Sequence, residues 1–235
     1  MKTFFTILTL AIYARAAANL GTGSGTVVDS AGKPIAGPVR IFISLALDAA
    51  AIKTPAPPVQ TGPHITSRVA GESGAFVVKN LAPGKYVACA STSIPGYLDP
   101  CQWSSTGAQF TISAGQVTPG INLVLEKGAI IPIRVNDAAQ KLLTDQLGPH
   151  DSEFQIHAVT VSGRHILAAI TGQDRSGRDQ TITVPFGAAV RLQVFSKKVA
   201  FVDSANKLLA PGGFIVTVPF GAIATPITLN ITGAK

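Results

Sequence analysis

The chain has 235 residues, of which 46% are hydrophobic and only 13% charged, with 23 Gly and 16 Pro. This composition excludes a disordered chain and a coiled coil, and two Cys are too few for a disulfide-built scaffold or a four-cysteine metal site. The net charge is +7, but Lys and Arg are scattered singly rather than clustered on one stripe, so we expect no nucleic-acid partner. A turn-rich, all-β protein with room for two domains remains.

The first 18 residues have the three parts of a secretory signal peptide. A positive start at Lys2 precedes an apolar run from Phe4 to Tyr13 and the small residues Ala16-Ala17-Ala18. The apolar run is half as long as a membrane-spanning helix requires, although an uncleaved anchor is the alternative. We therefore predict a signal peptide over 1–18, cleaved after Ala18 or after Ala16. The predicted localisation is secreted, periplasmic or cell envelope, with no membrane span in the mature chain.

Beyond the leader, apolar and polar residues alternate with a period of two, which predicts half-buried antiparallel strands. Turn residues separate these runs, as in a β-sandwich. We predict two consecutive β-sandwich domains, over residues 19–127 and 128–235, the second of them Ig-like. The clearest alternating runs are 39–43, 131–135, 190–194 and 227–231.

Two segments do not alternate. Gly21-x-Gly23-x-Gly25 precedes a strand instead of following one, so it is no dinucleotide-binding loop, and we interpret it as a flexible lead-in. Residues 45–53 are good helix formers, but Pro55, Pro57 and Pro58 follow directly. This pattern predicts one helical turn and then a proline-rich loop to about Pro63.

Two short motifs recur. Asp29, Asp137 and Asp203 each open the frame D-[SA]-A-x-K-x-[IL], in which Asp bonds its own backbone and the fourth residue tolerates positive φ. This frame predicts hairpin turns rather than catalytic loops. The second motif, Val-Pro-Phe-Gly, occurs at 184–187 and 218–221, both in the C-terminal half. Its distribution supports a domain boundary near residues 126–128.

Three ordered motifs lie in the N-terminal half, at 25–35, 72–76 and 80–86. With them, the stretch of about residues 23–125 resembles the carboxypeptidase regulatory-like domain. The resemblance implies a transthyretin-like (prealbumin-like) sandwich with a carbohydrate-binding-like fold. In that family the domain assists a separate catalytic domain, and no such catalytic domain is found in this sequence.

The same stretch is similar to the collagen-adhesin B-type repeats of surface proteins, including Pro95-Gly96-Tyr97. Those repeats often crosslink a Lys to an Asn with help from a Glu. The corresponding position here is Ala90, four residues after Tyr86, so we expect no isopeptide bond. The C-terminal half resembles no family that we can assign.

An exported chain meets an oxidising compartment, so Cys89 and Cys101 are expected to form a disulfide, the alternative being two unpaired thiols. The bridge would brace the loop that contains Tyr97. Trp103, the sole tryptophan, follows this loop, and flat aromatic faces beside polar groups often bind sugars or peptides. Tyr97 and Trp103 are the candidate ligand-binding surface. Alternatively, Trp103 caps a sandwich core.

No pattern indicates catalysis, a metal or a cofactor. His150, Asp151, Glu153, His157 and His165 are the only metal-ligand candidates, but no two histidines have the i, i+4 spacing of a helix, so we interpret them as solvated polar residues. The charged run 174–179 predicts a hairpin tip, and Asn230-Ile231-Thr232 matches a glycosylation sequon by pattern only. We predict no catalytic, metal-binding or cofactor-binding residue.

Three functional hypotheses remain. The first is a secreted, non-catalytic accessory or ligand-binding module with a polysaccharide or cell-surface ligand. The alternative is a structural or protein-interaction module of the cell envelope, which would use exposed sheet edges. A hydrolase is the third hypothesis and would require ionisable residues that converge in a cleft. The sequence predicts no oligomeric state.

Overall fold

The protein is all-β. A computed structural model describes residues 19–46, 65–68, 73–103, 107–140, 154–196 and 199–234. They fall into two compact units: the first contains the described residues of Met1–Ile94 and Asp99–Glu126, and the second those of Pro95–Leu98 and Lys127–Lys235. Among these residues, none lies in a helix with the length and apolar character needed to cross a membrane.

The described residues of the first unit form two sheets and one short helix. Their elements are β1 (Gly21–Asp29), β2 (Val39–Leu45), β3 (Ile65–Arg68), β4 (Ala75–Leu81), β5 (Gly84–Thr92), α1 (Pro100–Trp103), β7 (Ala108–Ile112) and β8 (Val117–Lys127). One sheet has the strand order β4-β1-β8, in which β1 and β8 are parallel, and the other has the order β3-β2-β5-β7.

The second unit also has two sheets. The described strands of this unit are β6 (Tyr97–Leu98), β9 (Ala129–Asn136), β10 (Phe154–Val159), β11 (His165–Leu167), β12 (Ala169–Asp174), β13 (Gly177–Val184), β14 (Val190–Ser196), β15 (Val199–Val202), β16 (Phe214–Val216) and β17 (Ile227–Ala234). The strands from β9 onward form the two sheets, with the orders β11-β10-β14-β16 and β12-β13-β9-β17-β15, and β9 and β17 are parallel. The rings of Phe154 and Phe201, 5.0 Å apart, join the two sheets.

The predicted alternation produces the buried faces. Val39, Ile41 and Ile43 of β2 are buried while Arg40 is exposed, and β9 repeats this pattern. Apolar side chains on one face of each strand therefore form the cores. The largest buried side chains are Val27, Val39, Ile41, Ile43, Leu81, Ile112 and Leu125 in the first unit, and Ile131, Val135, Val184, Leu192 and Leu229 in the second.

The glycine-rich segment is a strand, so our interpretation of it as a flexible lead-in is wrong. Residues 21–25 begin β1, which lies between β4 and β8. A Cβ at Gly25 would collide with the Ile121 carbonyl oxygen, and one at Gly23 would lie 3.0 Å from Ile121 Cδ1. Glycine is needed at residue 25 because the backbone of the neighbouring strand β8 approaches too closely for a side chain.

The helical turn predicted within residues 45–53 does not begin at Leu45. Leu45 is the last residue of β2 and pairs with Tyr86, so strand pairing outweighs local helix propensity there. The remainder of that turn and the proline-rich loop lie outside the described residues, as does the predicted leader 1–18.

The predicted hairpin turns are confirmed. Asp29 Oδ1 accepts hydrogen bonds from the backbone N of Ala31 and Lys33, both at 2.9 Å. Asp203 does the same for residues 205 and 207, at 2.9 and 3.0 Å. The fourth residues of the three copies, Gly32, Gln140 and Asn206, have φ of 77°, 53° and 61°, so each copy contains the left-handed residue that the frame predicts.

Candidate interaction surfaces

Cys89 and Cys101 form a disulfide, as predicted, with a Cα–Cα distance of 6.0 Å. Cys89 is buried in β5 and Cys101 is buried in α1. Asp99 begins this helix: its Oδ1 accepts a hydrogen bond from the backbone N of Cys101 at 2.9 Å, and its carbonyl accepts from Trp103 at 3.0 Å. The bridge and this cap together fix α1 against strand β5.

The candidate ligand-binding residues fall in different units. Trp103 ends α1 in the first unit and is half-buried. Tyr97 begins β6, which belongs to the second unit, and is also half-buried. The preceding Gly96, with φ of 89°, donates its backbone N–H to Thr183 Oγ1 at 3.1 Å. A joint role of Tyr97 and Trp103 in binding stays a prediction.

Two of the histidine candidates lie side by side. The rings of His157 in β10 and His165 in β11 are 4.5 Å apart and nearly perpendicular, and His157 Nε2 is 3.0 Å from Gln193 Oε1. The described residues hold no group of three or more His, Cys, Asp or Glu side chains that could bind a metal. His150, Asp151 and Glu153 lie outside those residues.

A polar cluster lies on the exposed face of β9, β12 and β13. Arg134 Nη2 contacts Asp174 Oδ1 at 2.9 Å and donates to Ser176 Oγ at 2.7 Å, while its Nη1 contacts Asp179 Oδ2 at 3.1 Å. The hydrogen bonds from Arg134 and Ser176 hold the pKa of Asp174 well below its usual range. The cluster therefore fastens the predicted hairpin tip 174–179 to β9.

The sequon asparagine belongs to a hydrogen-bond chain beside this cluster. Asn136 donates from Nδ2 to Asn230 Oδ1 at 2.8 Å, and Asn230 donates from its own Nδ2 to the Asp203 carbonyl at 3.4 Å. Both polar ends of the Asn230 amide are therefore engaged, and a glycan on Nδ2 would replace one of the two hydrogens of that nitrogen.

Strands β11 and β12 follow each other in the sequence and are edge strands of different sheets. β11 pairs with β10, and after Ala168, whose N–H bonds the Ile156 carbonyl at 2.8 Å, β12 pairs with β13. Within the described residues β12 has no neighbour on its other side. Five of its six residues are exposed, including Ile170 at 51%. Sequence patterning missed this edge because its residues do not alternate.

The two Val-Pro-Phe-Gly motifs meet at one apolar tip. Gly187 donates its N–H to the Val218 carbonyl at 2.7 Å, and the rings of Phe186 and Phe220 stack at 5.6 Å. Val184 and Val218 are buried, whereas Phe220 is 84% exposed and the following Ile223 is 97% exposed. The repeat was visible in the sequence, but the contact between its copies was not.

An apolar groove lies next to this tip. It has a volume of about 250 Å³ and is lined by Ile131 and by two stretches, 216–219 and 223–227, which flank the turn at Phe220. The turn closes with a hydrogen bond of 3.1 Å from Ala222 N to the Pro219 carbonyl. The exposed Phe220 and the groove are therefore adjacent parts of one surface.

No protein-family model and no curated protein matches this chain. The Streptococcal ancillary pilin structure is similar with a TM-score of 0.43 at 14% identity, over 91% of this chain and 62% of that one. GBS52, the minor pilin of Streptococcus agalactiae, gives 0.37 at 10% identity, over 92% and 98%. 3-Chlorocatechol 1,2-dioxygenase from Rhodococcus opacus 1CP gives 0.27 at 16% identity, over 48% and 62%.

This chain thus spans less than two thirds of the ancillary pilin and of the dioxygenase. Fold alone does not determine function, and with every quoted TM-score below 0.5 the likeness carries no argument about what this chain does. The carboxypeptidase regulatory-like assignment of the N-terminal half stays a prediction.

Proposed function

We propose that this chain is a secreted or periplasmic, non-catalytic protein-interaction module of the cell envelope, and that strand β12 binds an extended segment of a partner protein. The observation that carries the proposal is the open edge of β12. An extended peptide adds to such an edge through main-chain hydrogen bonds, and its alternate side chains supply specificity.

The β12 edge lacks most of the devices that protect sheet edges. Proteins block edges with Lys, with Pro, with bulges, or by keeping the strand very short. β12 has six residues and contains neither Lys nor Pro, and Ile170 lies half-exposed on it. One bulge, between Ile170 and Gly172, interrupts its register with β13. The unbulged end, residues 172–174, and the segment before Ile170 remain available for pairing.

Three other edge strands, β16, β4 and β15, are less suited to this role. β16 has three residues, β4 carries Lys79, and β15 has three buried residues out of four. The single acidic residue of β12, Asp174, is paired with Arg134, so the edge has little uncompensated charge. A partner segment that is uncharged and extended would therefore meet no electrostatic penalty.

Polysaccharide binding by Tyr97 and Trp103 remains a separate prediction. Trp103 is the only tryptophan, so a sugar that contacts it would change the intrinsic Trp fluorescence. An array of cell-wall polysaccharides and other glycans, read together with that fluorescence, tests this prediction without reference to β12.

Site-specific photocrosslinking in the producing cells tests the proposal. A photoreactive residue at Gln173, exposed on β12, is compared with one at Val124, exposed on β8 of the first unit. We expect a protein adduct from Gln173 in the envelope fraction and none from Val124. Adding Ile170→Lys should abolish the Gln173 adduct, because a Lys on the edge opposes strand addition.

Equal adducts at both positions, or an adduct that persists with Ile170→Lys, would contradict the β12 assignment. Recovery of the chain only from the cytoplasm would contradict the envelope assignment. A glycan hit with a fluorescence change, together with no protein adduct, would return the accessory carbohydrate-binding hypothesis to first place.

A further inference from the structure

The two Val-Pro-Phe-Gly motifs build a surface that the proposed function does not use. We propose that two copies of this chain associate through it, with the Phe220 knob of each copy in the apolar groove of the other. This inference goes beyond the proposed function and involves no residue of β12, so the two can fail independently.

The knob is held in place before any partner arrives. Gly187 and Gly221 have φ of 71° and 72°, which favours glycine at both motif ends. The hydrogen bond from Gly187 to Val218 and the stack of Phe186 on Phe220 fix the two motifs to each other. Little conformational freedom is then lost on association, which favours binding.

The exposed apolar side chains at the tip indicate a surface that another molecule covers. Single exposed apolar side chains are ordinary, but here Phe220 and Ile223 project from one turn at 84% and 97% exposure. The neighbouring groove has a volume of about 250 Å³, which is near the lower end of the roughly 300–1,000 Å³ of small-molecule sites. It is large enough to accept a protruding side chain.

The distribution of charge is compatible with a second copy as the occupant. Without Lys2 and Arg15 of the predicted leader, the net charge of +7 becomes 7 − 2 = +5, so two copies repel wherever their charged surfaces meet. The stretches 180–190 and 208–234, which contain the whole tip and all of the groove except Ile131, include no Asp, Glu, Lys, Arg or His. Two copies can meet there without like-charge repulsion. An anionic membrane or an acidic partner would instead favour basic residues at the tip, and the tip has none.

A knob beside a groove on one surface is self-complementary. In a two-fold dimer the same patch of each copy is used, so each knob can fill the other copy's groove and the assembly closes at two. Each substitution then removes its contact twice. Losing one buried large apolar side chain weakens association by about tenfold, so loss in both copies weakens it by about a hundredfold.

Sedimentation equilibrium of the full chain, from about 1 µM to 1 mM, tests the proposal. We expect a monomer–dimer equilibrium that Phe220→Ser and Ile223→Ser each weaken by about a hundredfold. Val161→Ser is the matched control, since Val161 is 99% exposed in the same unit but lies in the turn between β10 and β11. Because Ile223 makes the smaller contribution to the fold, that variant decides the matter if Phe220→Ser unfolds.

Cysteine pairs test the geometry. The two cysteines of the sequence are in the disulfide, so a new thiol has no native competitor. Copies with Phe220→Cys mixed with copies with Thr225→Cys should form mixed disulfides faster than either forms its own. A monomer at all concentrations, equal weakening by Val161→Ser, or faster pairing of Phe220→Cys with itself would overturn the proposal. Vesicle binding that Phe220→Ser abolishes, without self-association, would assign the tip to a membrane.

Discussion

The two units have the same strand plan around their first strand. In the first, β1 is antiparallel to β4 and parallel to the last strand, β8. In the second, β9 is antiparallel to β13 and parallel to the last strand, β17. An Asp turn follows each of these first strands, at Asp29 and Asp137. The same backbone plan is thus built from two sequences with little similarity outside the turns.

The side chains that complete this plan differ. The first strand is glycine-rich in the first unit and apolar in the second, and the disulfide lies in the first unit. Among the described residues, both salt bridges lie in the second unit, on one exposed sheet face. Both units have an apolar core, to which the first adds a close backbone approach and a covalent bond, and the second adds polar contacts at its surface. Separate perturbations should destabilise each unit alone.

The largest effect is expected from Gly25→Ala. The new Cβ would overlap the Ile121 carbonyl of the parallel strand β8, so backbone must move in the centre of the sheet. We expect a loss of more than about 3 kcal/mol in the free energy of unfolding of the first unit. Denaturant unfolding followed by the fluorescence of Trp103, which lies in that unit, measures it.

Ser24→Ala is the matched control for Gly25→Ala. Ser24 is the neighbouring residue of β1 and is half-buried, and its loss should change stability by less than about 1 kcal/mol. Similar losses in both variants would show that β1 is intolerant generally, and that the close approach to Ile121 is not the cause.

Removal of the disulfide ranks next. Cys89→Ala with Cys101→Ala opens a loop with a sequence separation of 12 and should cost the first unit about 3 kcal/mol. The second unit has no cysteine and should unfold as before. Parallel curves of Trp fluorescence and of far-ultraviolet circular dichroism separate the two transitions. A shift of both transitions by the same amount would mean that the units do not unfold independently.

Local patterns in the sequence predicted much of this architecture. Alternation identified the buried faces of β2 and β9, and the Asp frame predicted both the hydrogen bonds and the left-handed residue of its turns. These features are local because each depends on residues within one strand or one turn. The disulfide was predicted by a different argument, from the leader and the oxidising compartment that export implies.

Features that depend on distant partners were missed. The glycines of β1 resemble a linker until Ile121, about a hundred residues away, is placed beside them. Arg134 is an ordinary outward residue of β9 until the hairpin at Asp174 pairs with it. The β12 edge and the apolar tip likewise arise from pairing between segments, which periodicity within one segment does not encode.

The turns at Asp29 and Asp203 contain the same motif at two different depths of burial. Asp29 is buried and Asp203 is half-buried, although each accepts the same two backbone hydrogen bonds. We expect Asp29→Ala to cost about 2 kcal/mol and Asp203→Ala about 1 kcal/mol, because donors left without a partner cost more when buried. Asn at either position retains an acceptor and should restore most of the stability. Equal costs for the two Ala variants would show that depth does not matter.

The smallest effect is expected from the Arg134 cluster, which is exposed and screened by solvent. The pKa of Asp174 is lowered in the folded state, so its contribution is fully present above the ordinary carboxyl pKa, near pH 4, and is lost as the pH falls below it. Hydrogen exchange of the 174–179 hairpin, corrected for the intrinsic rate, should therefore accelerate as the pH falls from about 4 to about 2, with most of the change below about pH 3. Asp174→Asn should remove most of this pH dependence, whereas Glu126→Gln, which removes an exposed carboxylate of the first unit, should leave it unchanged. Because dissolved ions screen a surface ion pair, high salt should also reduce the acceleration of exchange at low pH, as Asp174→Asn does. An unchanged pH dependence in Asp174→Asn would mean that another group holds the hairpin against β9.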